Sequence, residues 1–420
     1  MRAMESFYLG PTRRLVDLST WTLVQSAAAG GVLDETHWVE LKELVAPSNR
    51  VTNLELACDL ASLAVDGGIF VVGIQDARGR AGAVVGTALA GLADRITQVA
   101  QGRVTPPLSI TTAEVPDPDH DGIGVLIVSV PVSLDAPHMA DERYWGRSNV
   151  GKRALSDPEV RRLWDERGAR RQGFTDRLHE MEAPDHQFVA ESHRVGVNVC
   201  ILFEPTATPP SEIRVSEELG FDFAPESTLS AILGYAPRAV TLSSLLVKPD
   251  QAGLVLTTVR DDGLVLGNGP ARLLLGDDGT VAFWAGDQSI ESSTLGRNQR
   301  FLHVGAIAES VDIAARLAAH VGGTILGYSG QWSAGLVVSG LKGMHPFERR
   351  PGRPVKFGAS QRPGHPFPRA VYEQTVRVTT TELIDAAPKV VVGLTAGLAR
   401  TMGVMEATNV YDDPTSLTNG

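Results

Sequence analysis

Gly146-Arg-Ser-Asn-Val-Gly151-Lys152-Arg153 sets two glycines five residues apart ahead of a lysine, close to the phosphate-binding loop Gly-x4-Gly-Lys-Ser/Thr. In such a loop backbone N–H groups cradle phosphate oxygens, the lysine reaches them, and the final hydroxyl ligates magnesium. Arg153 stands where that hydroxyl belongs, and the next helix is expected only from Ser156, so ATP hydrolysis is not the reading. The segment is read instead as a turn whose Arg147, Lys152 and Arg153 are candidate nucleic-acid phosphate contacts. Further along, Arg349, Arg350, Arg353, Lys356, Arg362 and Arg369 interleave with Phe347, Phe357 and Phe367, with His345 and His365 nearby. Arginine for phosphate and aromatic rings for bases are what a single-stranded RNA surface uses. A solvated proline-rich loop is the competing reading.

Other chemistries find no support. The 10 histidines show no His-x3-His spacing, and His37 either contacts a phosphate or faces solvent. No Gly-x-Ser-x-Gly elbow follows a strand. With only Cys58 and Cys200, neither a disulfide framework nor a zinc knuckle can be built, and both are expected to be small buried residues. The net charge of −11 argues against a generic nucleic-acid coat, because phosphate binding is driven by cationic surface; any such site must be local.

The elements that would position these residues follow from pattern. The 420 residues suggest two domains, and 43% hydrophobic content is ordinary for a globular chain. Leu15 to Ala29 reads as a helix stopped by Gly30 and Gly31. Trp38 to Leu44 alternates, with Val39 and Leu41 on one face and Trp38, Glu40 and Lys42 on the other, as a half-buried strand does. A helix capped by Thr52 or Asn53 ends at Gly67 and Gly68, and the β-branched run from Ile69 to Ile74 is a buried strand. A helix over Leu89 to Gln101, strands over Ser109 to Val115 and Gly124 to Val130, and a helix from Ser156 to about Arg167 complete the unit. The charged stretch 169–194 is read as a linker between domains 1–168 and 195–420.

In the second domain strands are expected at Val197 to Phe203, Leu254 to Thr258, Arg272 to Leu275, Thr280 to Trp284, Thr324 to Tyr328 and Gly335 to Leu341. Helices are expected at Glu309 to His320 and Lys389 to Thr401. The fold class is α/β, more closely α+β, with a mixed sheet in the first domain. No signal-peptide core and no apolar run of about 18 residues is found, so a cytoplasmic protein with no membrane contact is expected.

One ordered set of blocks is more specific. Glu35-Thr-His-Trp-Val-Glu40-Leu41-Lys42 is followed by Gly67-Gly68-Ile-Phe-Val-Val-Gly73-Ile74-Gln75-Asp76. Val130-Pro131-Val-Ser133, Pro137 and Arg147-Ser-Asn-Val-Gly151 come after it. Over about Asp34 to Arg167 this resembles the AlbA-like domain of Schlafen proteins and their bacterial relatives. The resemblance implies a nucleic-acid-binding fold. It also implies, by position, a carboxylate triad at Glu35, Glu40 and Asp76 that holds Mg²⁺ or Mn²⁺ for cleavage of structured RNA such as tRNA. Converging carboxylates repel unless a hard cation neutralises them, and such a cation activates water for attack on phosphorus. Lys42 would then hold a phosphate or balance developing charge. Family members work as paired domains forming a groove, so a homodimer is implied for a chain with one copy. The alternative is a non-catalytic DNA-binding or regulatory protein, since the fold does not set the reaction.

Overall fold

The computed structural model describes residues 6–7, 9–10, 16–148, 151–181, 196–206, 214–220, 224–235, 244–266, 269–286, 288–292, 299–328, 330–349 and 365–407. The chain divides into two compact units. One is Met1–Arg171 with Thr206–Glu212 and Leu326–Gln331; the other comprises Gln172–Pro205, Ile213–Ile325 and Trp332–Gly420.

The first unit begins with a short antiparallel pair, β1 (Ser6–Phe7) and β2 (Val16–Asp17), before α1 (Trp21–Ala29). The helix is shorter than its apolar spacing suggested. Val16 and Asp17 are committed to β1, and Thr20 caps α1 by accepting from the N–H of Leu23. β3 (Val39–Lys42) then leads into α2 (Arg50–Leu63). The true cap of α2 is Asn49, whose side chain accepts from Val51 and Thr52 while the Thr52 hydroxyl accepts from the Asn49 N–H. Thr52, expected as the cap, is therefore the third helical residue of a capping box, and the helix starts about one turn earlier than expected.

β4 (Gly68–Val72) lies parallel to β3, pairing Glu40 with Phe70. Gly68 has φ 147°, and a Cβ there would sit 2.3 Å from the Trp38 carbonyl oxygen, so only glycine lets the two strands approach. The expected single strand to Ile74 breaks at Gly73, φ 110°, into a hairpin of β5 (Ile74–Asp76) and β6 (Ala81–Val84). β7 (Thr87–Ala88), α3 (Leu92–Gly102), β8 (Thr111–Pro116) and β9 (Ile123–Val130) follow. β9 is central. It pairs antiparallel with β4, continues onto β7 beyond the end of β4, and takes β8 on its other edge.

Both faces of this mixed sheet are covered. Phe70, Val72, Leu126 and Val128 pack with α2 and α3. Val39, Leu41, Ile69, Val71 and Ile127 pack with α1 and with Phe7, Leu9 and Leu18. Period-two alternation therefore sends Glu40 and Lys42 to the α2 side. A meander of β10 (Met139–Ala140), β11 (Arg143–Ser148) and β12 (Gly151–Ala154) follows, then α4 (Asp157–Glu180).

α4 continues through much of the stretch read as a linker; residues 182–195 lie outside the described residues. Phe174 and Leu178, four residues apart on one face, belong to a buried cluster with Cys200, Leu202, Trp284 and Val337 in the second unit. Two apolar residues per two turns suffice to seat a helix whose other positions are charged, and Glu166 pairs with both Arg162 and Arg170 four residues away.

The second unit is built on a seven-stranded sheet. Its strands are β13 (Asn198–Pro205), β14 (Leu246–Asp250), β15 (Gly253–Thr257), β16 (Ala271–Gly276), β17 (Val281–Ala285), β20 (Gln331–Ser339) and β22 (Val371–Thr379), in the order β14-β15-β16-β17-β13-β20-β22. β18 (Ser289–Ser292), β19 (Gln299–Leu302) and β21 (His345–Pro346) form a small separate sheet, and α5 (Val215–Leu219) and α6 (Pro225–Leu233) are short. α7 (Val304–His320) packs on β13, β17 and α8 (Thr380–Met402). The expected strand from Thr324 is instead a π-helical extension, Val321–Ile325, and Gly322 there lies against the buried Trp332 ring. α8 starts nine residues before the expected Lys389, behind a capping box of Thr379 and Glu382. A kink at Ala386, two residues before Pro388, hid its first turns from the pattern. Cys58 and Cys200 are both buried, as expected. Among the described residues no helix is long and apolar enough to cross a membrane.

Candidate nucleic-acid interface

The hairpin of β11 and β12 brings distant charges under the sheet. Arg147 and Lys152 are cross-strand partners, so their side chains share a face, and that face looks toward α2 and β3. Arg147 is buried. Its Nη1 donates to Glu40 Oε2 at 2.8 Å, and its Nη2 donates to the carbonyl of Thr36 at 3.1 Å. Glu40, 7% exposed, accepts at its other oxygen from Lys42 Nζ at 2.8 Å. One turn from the end of α2, Asp59 is 1% exposed; it lies 2.6 Å from Lys152 Nζ and 3.9 Å from Lys42 Nζ.

Charge states follow from this geometry. Burial pushes the Glu40 carboxyl up, but hydrogen bonds and charge from Lys42 and Arg147 outweigh it and hold the group below its ordinary value. Burial would lower Lys42, but Asp59, Glu40 and Glu35 together hold it above its ordinary value. Asp59 is pushed up by burial, only partly offset by the two lysines. Three cationic side chains thus face two carboxylates, with Lys42 and Lys152 partly exposed above them.

Glu35 and Asp76 lie to one side. Glu35 Oε1 accepts from the N–H of Leu41 at 3.2 Å, and its own N–H donates to the carbonyl of Gly79 at 2.9 Å. Asp76 accepts from Gly79 N–H at 2.6 Å, closing the β5–β6 turn. Burial raises the Glu35 carboxyl, the Leu41 hydrogen bond opposes this, and the charges of Glu40 and Asp76 raise it further. Glu35 feels both other carboxylates, yet among the described residues no three His, Cys, Asp or Glu side chains group closely enough to hold a metal ion. Glu40 has both oxygens engaged by cations, so the triad as folded does not fit Mg²⁺ or Mn²⁺.

The remaining candidates divide. Arg153 is exposed but bound to Glu159. Arg147, read as a phosphate contact, is spent on Glu40 and acts as a positioning residue. Phe367, read as a stacking ring, is buried against Tyr372. His37 pairs with Asp66 at 2.8 Å. Arg349 falls in a short helical turn, Phe347–Arg349; Arg350 and Arg353, with Lys356, Phe357 and Arg362, lie outside the described residues.

Sequence reasoning missed Asp59, which sits in an Ala/Leu-rich helix where only its being charged on a buried face could have marked it. It also missed Arg78 and Arg80, both exposed on the β5–β6 turn beside Glu35. The signal there was Asp76-Ala-Arg-Gly-Arg80 directly after a strand. Arg78 adopts φ 62°, a left-handed conformation unusual for a side chain of its size.

Residues 35–156 match the family model described as Schlafen, AlbA_2. Among solved structures, the DIP2311 protein from Corynebacterium diphtheriae is similar at 21% identity with a TM-score of 0.25, over 34% of this chain and 27% of that one. The chain therefore spans well under two thirds of that relative's length. The comparison with curated proteins gave no match. The sheet's glycine-gated β3–β4 contact and the buried Glu40–Arg147 pair thus lie within the segment of this α+β chain that matches the Schlafen, AlbA_2 family model.

Proposed function

We propose that the first unit binds nucleic acid through the surface where Lys42 and Lys152 emerge, without cleaving it. The observation that carries this reading is the pair of ammonium groups held by one buried carboxylate, Asp59. Fixing two flexible lysines in advance removes ordering cost from phosphate binding, and releasing counterions from the backbone supplies the drive. Arg78 and Arg80 extend the cationic surface past the β3 edge. Glu40, neutralised by Lys42 and Arg147, serves to seat the β11–β12 hairpin.

Metal-dependent cleavage of structured RNA is the second reading. It is favoured by the charges of Glu40 and Asp76 acting on Glu35 and opposed by the engagement of both Glu40 oxygens.

One experiment separates the two. The purified chain is incubated with total tRNA and with a DNA duplex, with manganese or with chelator, and read on both a native and a denaturing gel. The expected result is a shifted band in either condition and intact strands throughout. Lys42→Gln and Lys152→Gln keep a donor for the carboxylates while removing charge. Each is expected to weaken binding by about tenfold and to reduce the salt slope by about 1. Manganese-dependent fragments, absent from Glu35→Gln and Asp76→Asn variants, would replace this reading with the nuclease.

A further inference from the structure

We propose that Trp164, braced by Tyr144, is a stacking platform for an unpaired base, so that the ligand of this domain is single-stranded nucleic acid or a single-stranded region of a larger one. The inference rests on the nucleic-acid reading above and narrows its ligand. β11 presents Arg147 and Trp145 on one face and Tyr144 on the other. Tyr144 shares its face with Arg153, opposite the buried charge cluster, and α4 lies over that face through Arg153–Glu159 and Tyr144–Trp164.

The Tyr144 and Trp164 rings meet edge to face at 5.7 Å and 86°, an arrangement that fixes the indole without covering both of its sides. Trp164 is 47% exposed, the only tryptophan among the exposed large apolar side chains of the described residues. Helical side chains lean toward the N-terminus, so the residue four positions on is the one that would lie back over the indole. That residue is Gly168, and a Cβ built there meets nothing within 4 Å. Glycine weakens a helix interior; here it leaves the ring open. Arg161, exposed and one turn earlier on the same side, is placed to meet the phosphate of a base stacked on that ring.

A base inside a duplex already stacks on its neighbours, whereas an unpaired base gains a new aromatic face. The test is fluorescence anisotropy with labelled oligouridylate, labelled oligothymidylate and a blunt DNA duplex. Trp164→Ala is expected to weaken binding of single strands by roughly 5- to 150-fold, and to leave the duplex nearly unchanged. Trp164→Phe should recover most of the loss. Gly168→Leu, which leaves every ring in place, should weaken single-strand binding in the same way while raising thermal stability. The uridylate and thymidylate arms tell RNA from DNA. Unchanged single-strand affinity in Trp164→Ala, with Lys42→Gln and Lys152→Gln still impaired, would overturn the platform and leave the nucleic-acid reading standing. Failure of the parent chain to bind any of the three probes would overturn both.

Discussion

Replacing Arg147 with alanine is expected to destabilise the first unit by about 3–5 kcal/mol, the usual cost of removing one partner from a buried ion pair. The guanidinium reaches across 107 residues of sequence to Glu40 and also donates to the Thr36 and Val39 carbonyls, so its loss strands a buried carboxylate and two backbone acceptors. Lys42 alone then faces Glu40. Hydrogen exchange of the β4 amides, Ile69 to Val72, reads this unit specifically, because these strand residues are fully buried. The double variant Glu40→Met/Arg147→Met should lose less than Arg147→Ala, since both desolvated charges go together. A loss below about 1 kcal/mol in Arg147→Ala would mean that the pair is solvated like a surface bridge, and would remove the positioning role assigned to it.

Acidification should destabilise the same unit through His138. This ring is fully buried; Nδ1 lies 2.7 Å from the Pro106 carbonyl oxygen and Nε2 lies 2.7 Å from the Ser133 hydroxyl. A carbonyl can only accept, so Nδ1 carries the hydrogen and Nε2 accepts from Ser133 in the neutral ring. Burial lowers the His138 pKa, more than the Pro106 hydrogen bond and the Asp135 charge raise it. The unfolded chain therefore binds the proton more readily than the folded one. Stability from this group is fully present above the unfolded value of about 6.5 and is lost as pH falls from there toward the folded value, at up to about 1.4 kcal/mol per pH unit. Urea unfolding at a series of pH values between 5 and 8 measures the slope. His138→Gln should flatten it, and Ser133→Ala should cost about 1–3 kcal/mol at neutral pH by leaving Nε2 unsatisfied. An identical slope in His138→Gln and parent would assign the acid sensitivity to other groups.

Much of the first unit is legible in the sequence. Val39 and Leu41 alternate with Glu40 and Lys42, and a period of two has one structural meaning, so the charged face of β3 could be named at once. Gly67-Gly68 followed by a β-branched run marked the end of α2 and the start of β4, because the close approach of Gly68 to Trp38 tolerates no Cβ. The AlbA_2 blocks were legible for the same reason, since each is a local backbone or strand requirement. α4 was legible only in part. Its Phe174 and Leu178 are two apolar residues in a charged stretch, and what makes them a helix is the sheet they pack against in the second unit. The first turns of α8 are not legible in the sequence because Pro388 normally ends a helix, whereas here it follows a kink inside one.

The charges obeyed a different logic. Glu35, Glu40 and Asp76 were picked out by order along the chain, and order does not say which cation each carboxylate will meet. Only the folding of β11 and β12 beneath α2 paired Arg147 with Glu40 and Lys152 with Asp59, turning candidate phosphate contacts and candidate metal ligands into one buried network. From its sequence alone the chain determined its strands, its glycine-dependent contacts and its resemblance to the AlbA_2 blocks, because those depend on neighbours within a few residues. Which charges are neutralised, and which remain for a ligand, was decided by the tertiary structure, because the interaction between ions depends on distance and burial rather than on separation along the chain.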